Sequence, residues 1–273
     1  MMRRLALAGG MVVAAALWSA PAAAQATLGF DAAFNSQYVW RGLTFTNKPV
    51  IQPDVYLSFS GFTVGAWANV EPSKGTGSND LSENGGARSG IAEIDLWAEY
   101  GHSVGSASWK AGWILYTFNK QNAAFSNAFD THEVYGQLSL GGLPITPTLY
   151  ASYDLDKVKG FYVQPSVVYG VKASPALTIN LGVLAGISAG QEFNTGKPAE
   201  GFNFAKSGLT HVDFSASTSF AAGPLSIAPA LHVQISHDAN TKVNGADAAN
   251  QNKGSKIWGG ITLSWSRALG AAK

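Results

Sequence analysis

The chain has 273 residues, 13% of them charged and 46% hydrophobic, with a formal net charge of +1 at pH 7 and no cysteine. The missing cysteine excludes disulfides, thiolate metal sites, a nucleophilic thiol and a lipoprotein anchor. The near-neutral charge does not favour a nucleic-acid partner, and the charge content is about half that of a typical soluble domain.

Residues 1–26 read as a removable secretory leader. Arg3 and Arg4 start it, Leu5 to Trp18 form its apolar stretch, and Ala22 to Ala26 its small-residue zone. Ala24-Gln25-Ala26 fits the A-x-A rule and puts the mature start at Thr27, with Gln25 the neighbouring choice. The apolar run falls short of the roughly 20 residues of a spanning helix. Without Arg3 and Arg4, 16 basic residues face 17 acidic ones, a net charge of −1. Residues 27–273 are expected to form one domain.

Alternation of period two then predicts about twelve strands, near 27–41, 50–59, 62–70, 91–100, 107–118, 131–140, 145–154, 161–172, 177–187, 209–219, 225–237 and 256–266. The first block sets the pattern. Leu28, Phe30, Ala32, Phe34, Tyr38 and Trp40 share one face; Gly29, Asp31, Asn35, Gln37 and Arg41 share the other. Connections alternate between short turns (Ser60-Gly61, 101–106, 141–144, 173–176, 221–224) and longer polar loops (71–90, 119–130, 188–208, 238–255). An exported, charge-poor chain without an apolar helix satisfies its backbone in lipid by closing a barrel. The expected fold is therefore all-β: a transmembrane antiparallel up-and-down β-barrel of about twelve strands, in the outer membrane of a Gram-negative bacterium.

Pro53, Pro147, Pro165 and Pro229 fall on the apolar face inside proposed strands, where bulges or register shifts are expected. Tyr100, Trp109, Trp113, Phe118, Tyr153 and Phe161 are placed near strand ends on the lipid face, as interfacial anchors.

The water-facing positions form the candidate pore lining: Asp31, Asn35, Gln37, Arg41, Gln52, Asp54, Tyr56, Glu93, Asp95, Glu99, Lys110, Tyr116, Glu133, Tyr135, Gln137, Tyr150, Asp154, His211 and Asp213. Eight acids (Asp31, Asp54, Glu93, Asp95, Glu99, Glu133, Asp154, Asp213) stand there against three bases, Arg41, Lys110 and Lys172. That balance predicts a mild cation preference for a passive channel carrying small hydrophilic solutes or ions. The alternative is that these groups pair and plug a small barrel. Tyr56, Trp97, Tyr116, Tyr135, Tyr150 and Tyr162 either form a sugar-stacking track or fill space. Eleven bases, Lys48, Lys74, Arg88, Lys120, Lys157, Lys159, Lys197, Lys206, Lys242, Lys253 and Lys256, fall in outer loops. They serve either lipopolysaccharide phosphates or loop solubility.

Catalysis is not expected. His211 and Asp213 share a face near the outer rim and give the one enzymatic alternative, a rim hydrolase. Their parallel i, i+2 directions, and the lack of a glycine-flanked serine elbow or an H-E-x-x-H helix, count against it. No phosphate-binding glycine loop occurs, and 75–86 lacks the spaced acids of a calcium loop. No cofactor or metal is implied. Two further rivals are a closed structural barrel whose loops bind lipopolysaccharide or a partner protein, and a soluble periplasmic sandwich.

One segment resembles a known family. Asn35-Ser36-Gln37-Tyr38-Val39-Trp40-Arg41-Gly42, followed by Thr44 and Pro49 to Gln52, is similar to the opening of the TorF-type porins, the Gcw_chp family. There a strand of the form N/S-x-Y-x-x-R-G precedes a short loop and a P-x-x-Q strand. Glu93-Ile94-Asp95, Tyr135 after Glu133, and Tyr150 to Asp154 look similar too. Pro53-Asp54 departs from the small glycine-rich residues expected after Gln52. The resemblance implies a role in passive solute passage without an established substrate.

Overall fold

The computed structural model describes residues 26–72, 90–118, 130–175, 177–192, 204–243 and 253–270. The leader through Gln25, the segment 75–86, and Lys74, Arg88, Lys120 and Lys197 lie outside them. In chain order the strands begin with β1 (Thr27–Asn35), β2 (Tyr38–Trp40), β3 (Leu43–Thr46), β4 (Val50–Phe59) and β5 (Phe62–Glu71). There follow β6 (Gly90–Val104), β7 (Ala107–Phe118), β8 (Thr131–Leu140), β9 (Ile145–Asp154) and β10 (Phe161–Ser174). The last are β11 (Leu177–Ala189), β12 (Gly208–Ser217), β13 (Phe220–Ala222), β14 (Leu225–Ser236) and β15 (Ser255–Ala268).

Twelve of them close a ring of antiparallel neighbours. β1 pairs with β4, the order then runs through β5 to β12, β12 pairs with β14, and β14 and β15 return to β1. β13 only extends the turn before β14, and β2 with β3 forms a separate two-stranded sheet. The ring leaves no unpaired edge, which removes the soluble sandwich.

Each ring strand turns a large apolar side chain outward: Phe30, Val55, Val64, Leu96, Trp109, Val134, Leu149, Val167, Leu181, Phe214, Leu231 and Ile261 are all exposed. A continuous apolar belt far exceeds the few hundred Å² that a soluble monomer shows, so the solvent outside is lipid. The barrel spans a membrane. Among the described residues no helix is long and apolar enough to cross one. The ring joins its strands by short turns at one end and by longer segments (36–49, 155–160 and 190–207 among them) at the other, which is the layout of the outer-membrane type of barrel.

Three expectations need correcting. The first strand ends at Asn35, not at residue 41, and the chain turns inward there as the β2–β3 hairpin. Tyr38 and Trp40, expected on the lipid face, therefore lie inside the barrel, and Tyr38 is buried. Phe118 is also buried, because it shares a face with Tyr116 on β7 while Trp109 and Trp113 point outward. The prolines shift nothing. Ala32 stays opposite Pro53, Val167 opposite Pro147, Leu149 opposite Pro165 and Ile261 opposite Pro229, each in unbroken register with its neighbours. A proline removes one N–H on one side of a strand, so the ladder on the other side holds its register.

Candidate functional site

The hairpin β2–β3 enters the lumen from the long-loop end, and the family-like segment is this hairpin with its anchors. Asn35 Nδ2 donates to Gln52 Oε1 at 2.8 Å, Gln52 Nε2 to Asn69 Oδ1 at 3.2 Å, and Asn69 Nδ2 to Glu71 Oε1 at 3.1 Å. This amide ladder crosses β1, β4 and β5 beneath the point where the chain leaves the wall. Thr46, at the hairpin's exit, donates to the same Glu71 oxygen at 2.5 Å. Tyr38 packs edge-on to Phe45, with ring centres 5.1 Å apart, and against Trp67 of the wall. Trp40 stacks on Phe45 and meets Tyr116 edge-on. These rings give the upper lumen an apolar core, an inversion of the usual barrel interior.

The hairpin tip is tied to two walls. Arg41 has φ of 50° and Gly42 of 81°, a turn with both central residues left-handed. Such turns match the twist of paired strands. A Cβ on Gly42 would lie 2.5 Å from His211 Nδ1, so only glycine fits. From this tip the Arg41 guanidinium reaches the far wall. Its Nη1 and Nη2 donate to the two oxygens of Glu133 at 2.7 and 2.6 Å, and Nη2 also to Ser152 Oγ at 2.9 Å. Its plane lies between the Trp40 and Tyr162 rings, 4.2 and 4.5 Å from their centres. On the other side Lys256 Nζ donates to Gly42 O at 3.1 Å, Thr44 Oγ1 at 2.8 Å and Val243 O at 2.9 Å, and Gln234 Nε2 to Gly42 O at 2.9 Å. Expected in an outer loop, Lys256 is instead buried. As the second residue of β15 it shares the inner face with Trp258, and the hairpin supplies two of its three acceptors.

Towards the short-turn end the interior changes. A band of pairs spans the middle: Lys110 Nζ donates to Glu99 Oε2 at 2.8 Å, Tyr135 Oη to the same oxygen at 3.0 Å, and Trp97 Nε1 to Asp54 Oδ1 at 3.3 Å. Below it the inner positions are small and polar. Ser103, Ser108, Thr148, Ser166, Thr178, Asn180, Ser215, Ser217, Ser226 and Ser264 are each only half-buried. The wall of β1, β4 and β6 turns Asp31, Asp54, Glu93 and Asp95 inward; Asp31 and Asp54 sit directly opposite in register, and Glu93 and Asp95 are buried higher up, beside Tyr38 of the hairpin.

The candidate positions are buried or half-buried, and they do not act alike. Asn35, Gln52, Arg41, Glu133, Tyr116 and Tyr150 hold or surround the hairpin; Tyr116 Oη donates to Glu133 Oε2 at 3.2 Å. Gln37 Oε1 is buried at the hairpin's start. Tyr56 fills the space above Gly29. Gln137 Nε2 donates to Ser139 Oγ at 3.4 Å. Asp154 caps the turn after β9, accepting from the backbone N–H of Asp156, Val158 and Lys159 and from Thr131 Oγ1. His211 and Asp213 form no dyad. His211 Nδ1 lies 3.0 Å from Thr210 Oγ1, whereas Asp213 Oδ1 meets His232 Nδ1 at 2.9 Å, and His232 stacks on Trp258. Ser215 Oγ lies over Gly182 on the neighbouring strand. Among the described residues no three His, Asp or Glu side chains are grouped to hold a metal ion. Sequence reasoning missed Lys256, Gln234, Ser152 and His232, whose partners lie far along the chain.

The family model described as "Bacterial protein of unknown function (Gcw_chp)" matches residues 19–262. The chain belongs to the Gcw_chp family. None of the curated proteins matches it. Among solved structures, this Gcw_chp chain is similar to the COG4313 outer membrane channel from Pseudomonas putida F1, at 9% identity and a TM-score of 0.52, over 91% of this chain and 97% of that one. It also matches a NanC porin structure (10% identity, TM-score 0.49, 87% of this chain and 98% of that one). A third match is the KdgM porin in complex with disordered oligogalacturonate (8% identity, TM-score 0.46, 89% and 99%). At these identities the first likeness speaks for the barrel fold, and the Gcw_chp hairpin has to be read from its own geometry.

Proposed function

We propose that the protein is an outer-membrane channel for small hydrophilic solutes, seated in a Gram-negative outer membrane once residues 1–26 are removed. In the conformation described, the β2–β3 hairpin closes its outer half. The observation that carries this reading is the half-buried lining of Ser, Thr and Asn below the Glu99–Lys110 band. A barrel built only as a support would fill that space with apolar side chains, as the upper half does around Tyr38 and Phe45. The fold shared with a Pseudomonas putida outer membrane channel supports the same reading.

A mild cation preference is expected of the barrel once the hairpin is out and water reaches Asp31, Asp54, Glu93 and Asp95, because low-dielectric walls focus the field of such groups into a pore. The test is single-channel conductance of the refolded mature chain in planar bilayers, with and without residues 37–48 replaced by a short Gly-Ser link. The hairpin-free barrel should conduct and prefer cations in dilute salt. That preference should fade as the Debye length shrinks to about 3 Å in 1 M salt. Replacing Asp31 and Asp54 with Asn should lower it. Preference for anions in dilute salt would defeat the acidic-wall mechanism.

The packed upper lumen favours a second reading, a closed barrel whose outer surface does the work. Lys48, Lys157, Lys159, Lys206 and Lys242, at the long-loop end, would then meet lipopolysaccharide phosphates. Silence of the hairpin-free barrel in the bilayer would select it.

A further inference from the structure

Four adjacent ring strands build a pocket shaped for a guanidinium ion, and the chain fills it with its own arginine. β8 supplies Glu133, whose two oxygens take both terminal nitrogens of Arg41; β9 supplies Ser152 Oγ; β10 supplies the face of Tyr162. From β7, Tyr116 Oη donates to Glu133 Oε2 and fixes the carboxylate. Glu133 and Ser152 are 2% exposed and Tyr162 0%. None of these groups belongs to the hairpin. The barrel ladders that position them run between ring strands alone, β7 to β8, β8 to β9 and β9 to β10.

We propose that this wall pocket is a binding site for guanidinium-bearing solutes, and that such a solute competes with Arg41 and releases the hairpin. The ligand class follows from the occupant. A carboxylate that meets two parallel N–H groups, with a ring over the ligand plane, matches the planar fork of guanidinium and gives an ammonium only a point contact. Release is helped by the tip, because Arg41 holds a left-handed backbone that a non-glycine residue adopts at a cost. It is opposed by the Lys256 and Gln234 bonds to Gly42. A tethered group sits at an effective concentration on the order of millimolar or more, so free solute competes only in or above that range. The release step rests on the channel reading above; the binding step does not.

The test uses the refolded full mature barrel, with methylguanidinium as probe and methylammonium as control. Arg41→Ala empties the pocket. Calorimetry should then show saturable methylguanidinium binding, about tenfold tighter than methylammonium and weakened at least about tenfold by adding Glu133→Gln, as expected for lost charge-assisted hydrogen bonds. Where Arg41→Ala does not refold, Arg41→Gln takes its place in the same titration. In a chain with Arg41 intact, a Leu43→Cys reporter, buried at the hairpin turn, should label faster with methylguanidinium than with methylammonium. No binding, equal binding of both cations, or binding that ignores Glu133→Gln would overturn the site and leave Arg41 an anchor only. Binding with faster labelling but a silent bilayer would uphold the site and count against the channel reading instead.

Discussion

The two halves of the lumen are built on opposite principles although the same twelve strands line both. In the upper half an inserted hairpin brings its own apolar core and the Arg41 cation, and the wall answers with Glu133, Glu71, Lys256 and an amide ladder, so that Glu133, Asn69 and Gln234 are almost wholly buried. In the lower half no insert is present among the described residues, and the inner side chains are mostly short and polar; many are half-buried, while Ser58, Thr63 and Ser139 are buried in pairs along the wall. Polar groups inside a barrel therefore carry two meanings. Where they are long, charged and paired across the lumen they hold an insert; where they are small they leave room for water.

This contrast predicts a steep gradient of mutational effects. Glu133→Gln should be the most damaging substitution, because it leaves the Arg41 guanidinium buried with its charge uncompensated, at a cost of about 3–5 kcal/mol. It should free the hairpin, read as fast thiol labelling of a Leu43→Cys reporter. Lys256→Met should follow. It removes three hydrogen bonds from a charged donor, and loosening of the tip by about 2 kcal/mol should raise the same labelling rate by a smaller factor. Gly42→Ala forces a Cβ into a left-handed position at about 1–2 kcal/mol and against His211 Nδ1; a fall in the thermal midpoint of the upper half should report it. At the bottom of the scale, Ser166→Ala should change stability by less than about 0.5 kcal/mol and leave the labelling unchanged. If Ser166→Ala frees the hairpin as Glu133→Gln does, the two halves are one cooperative unit and the contrast fails.

Facing can be tested strand by strand. Cysteines replacing Ser166 or Ser215 should react with water-soluble reagents, and those replacing Val167 or Phe214 with lipid-confined ones. The opposite pattern would place the ring's faces one residue out of register.

Much of the ring was legible because its signal is local. Eleven of the twelve ring strands fall within a few residues of the blocks read from alternation, since side-chain facing depends only on a residue's neighbours along the strand. The hairpin was not legible for the same reason. Tyr38 and Trp40 alternate with Gln37 and Arg41 whether their apolar side meets lipid or a barrel interior. The one local cue was Arg41-Gly42, a residue pair able to take the left-handed turn, and it lies where a continuous strand also made sense. Pairings were less legible still: Arg41 meets Glu133 across 92 positions and Lys256 meets Gly42 across 214. His211 and Asp213, two residues apart, looked like partners, but the ring sets Asp213 beside His232 on the next strand.

The sequence by itself determined that the barrel has about twelve strands, which face of most of them is wet, and that its outer surface seeks lipid, because an apolar-polar period of two is a property of each strand alone. Only the tertiary structure decided that residues 38–46 fill the upper lumen. The enclosed surface that receives them exists only after β12 pairs with β14 and β1 with β15. Until then, Glu133, Ser152, Tyr162 and Lys256 are scattered over separate strands, and Arg41 has no pocket to enter.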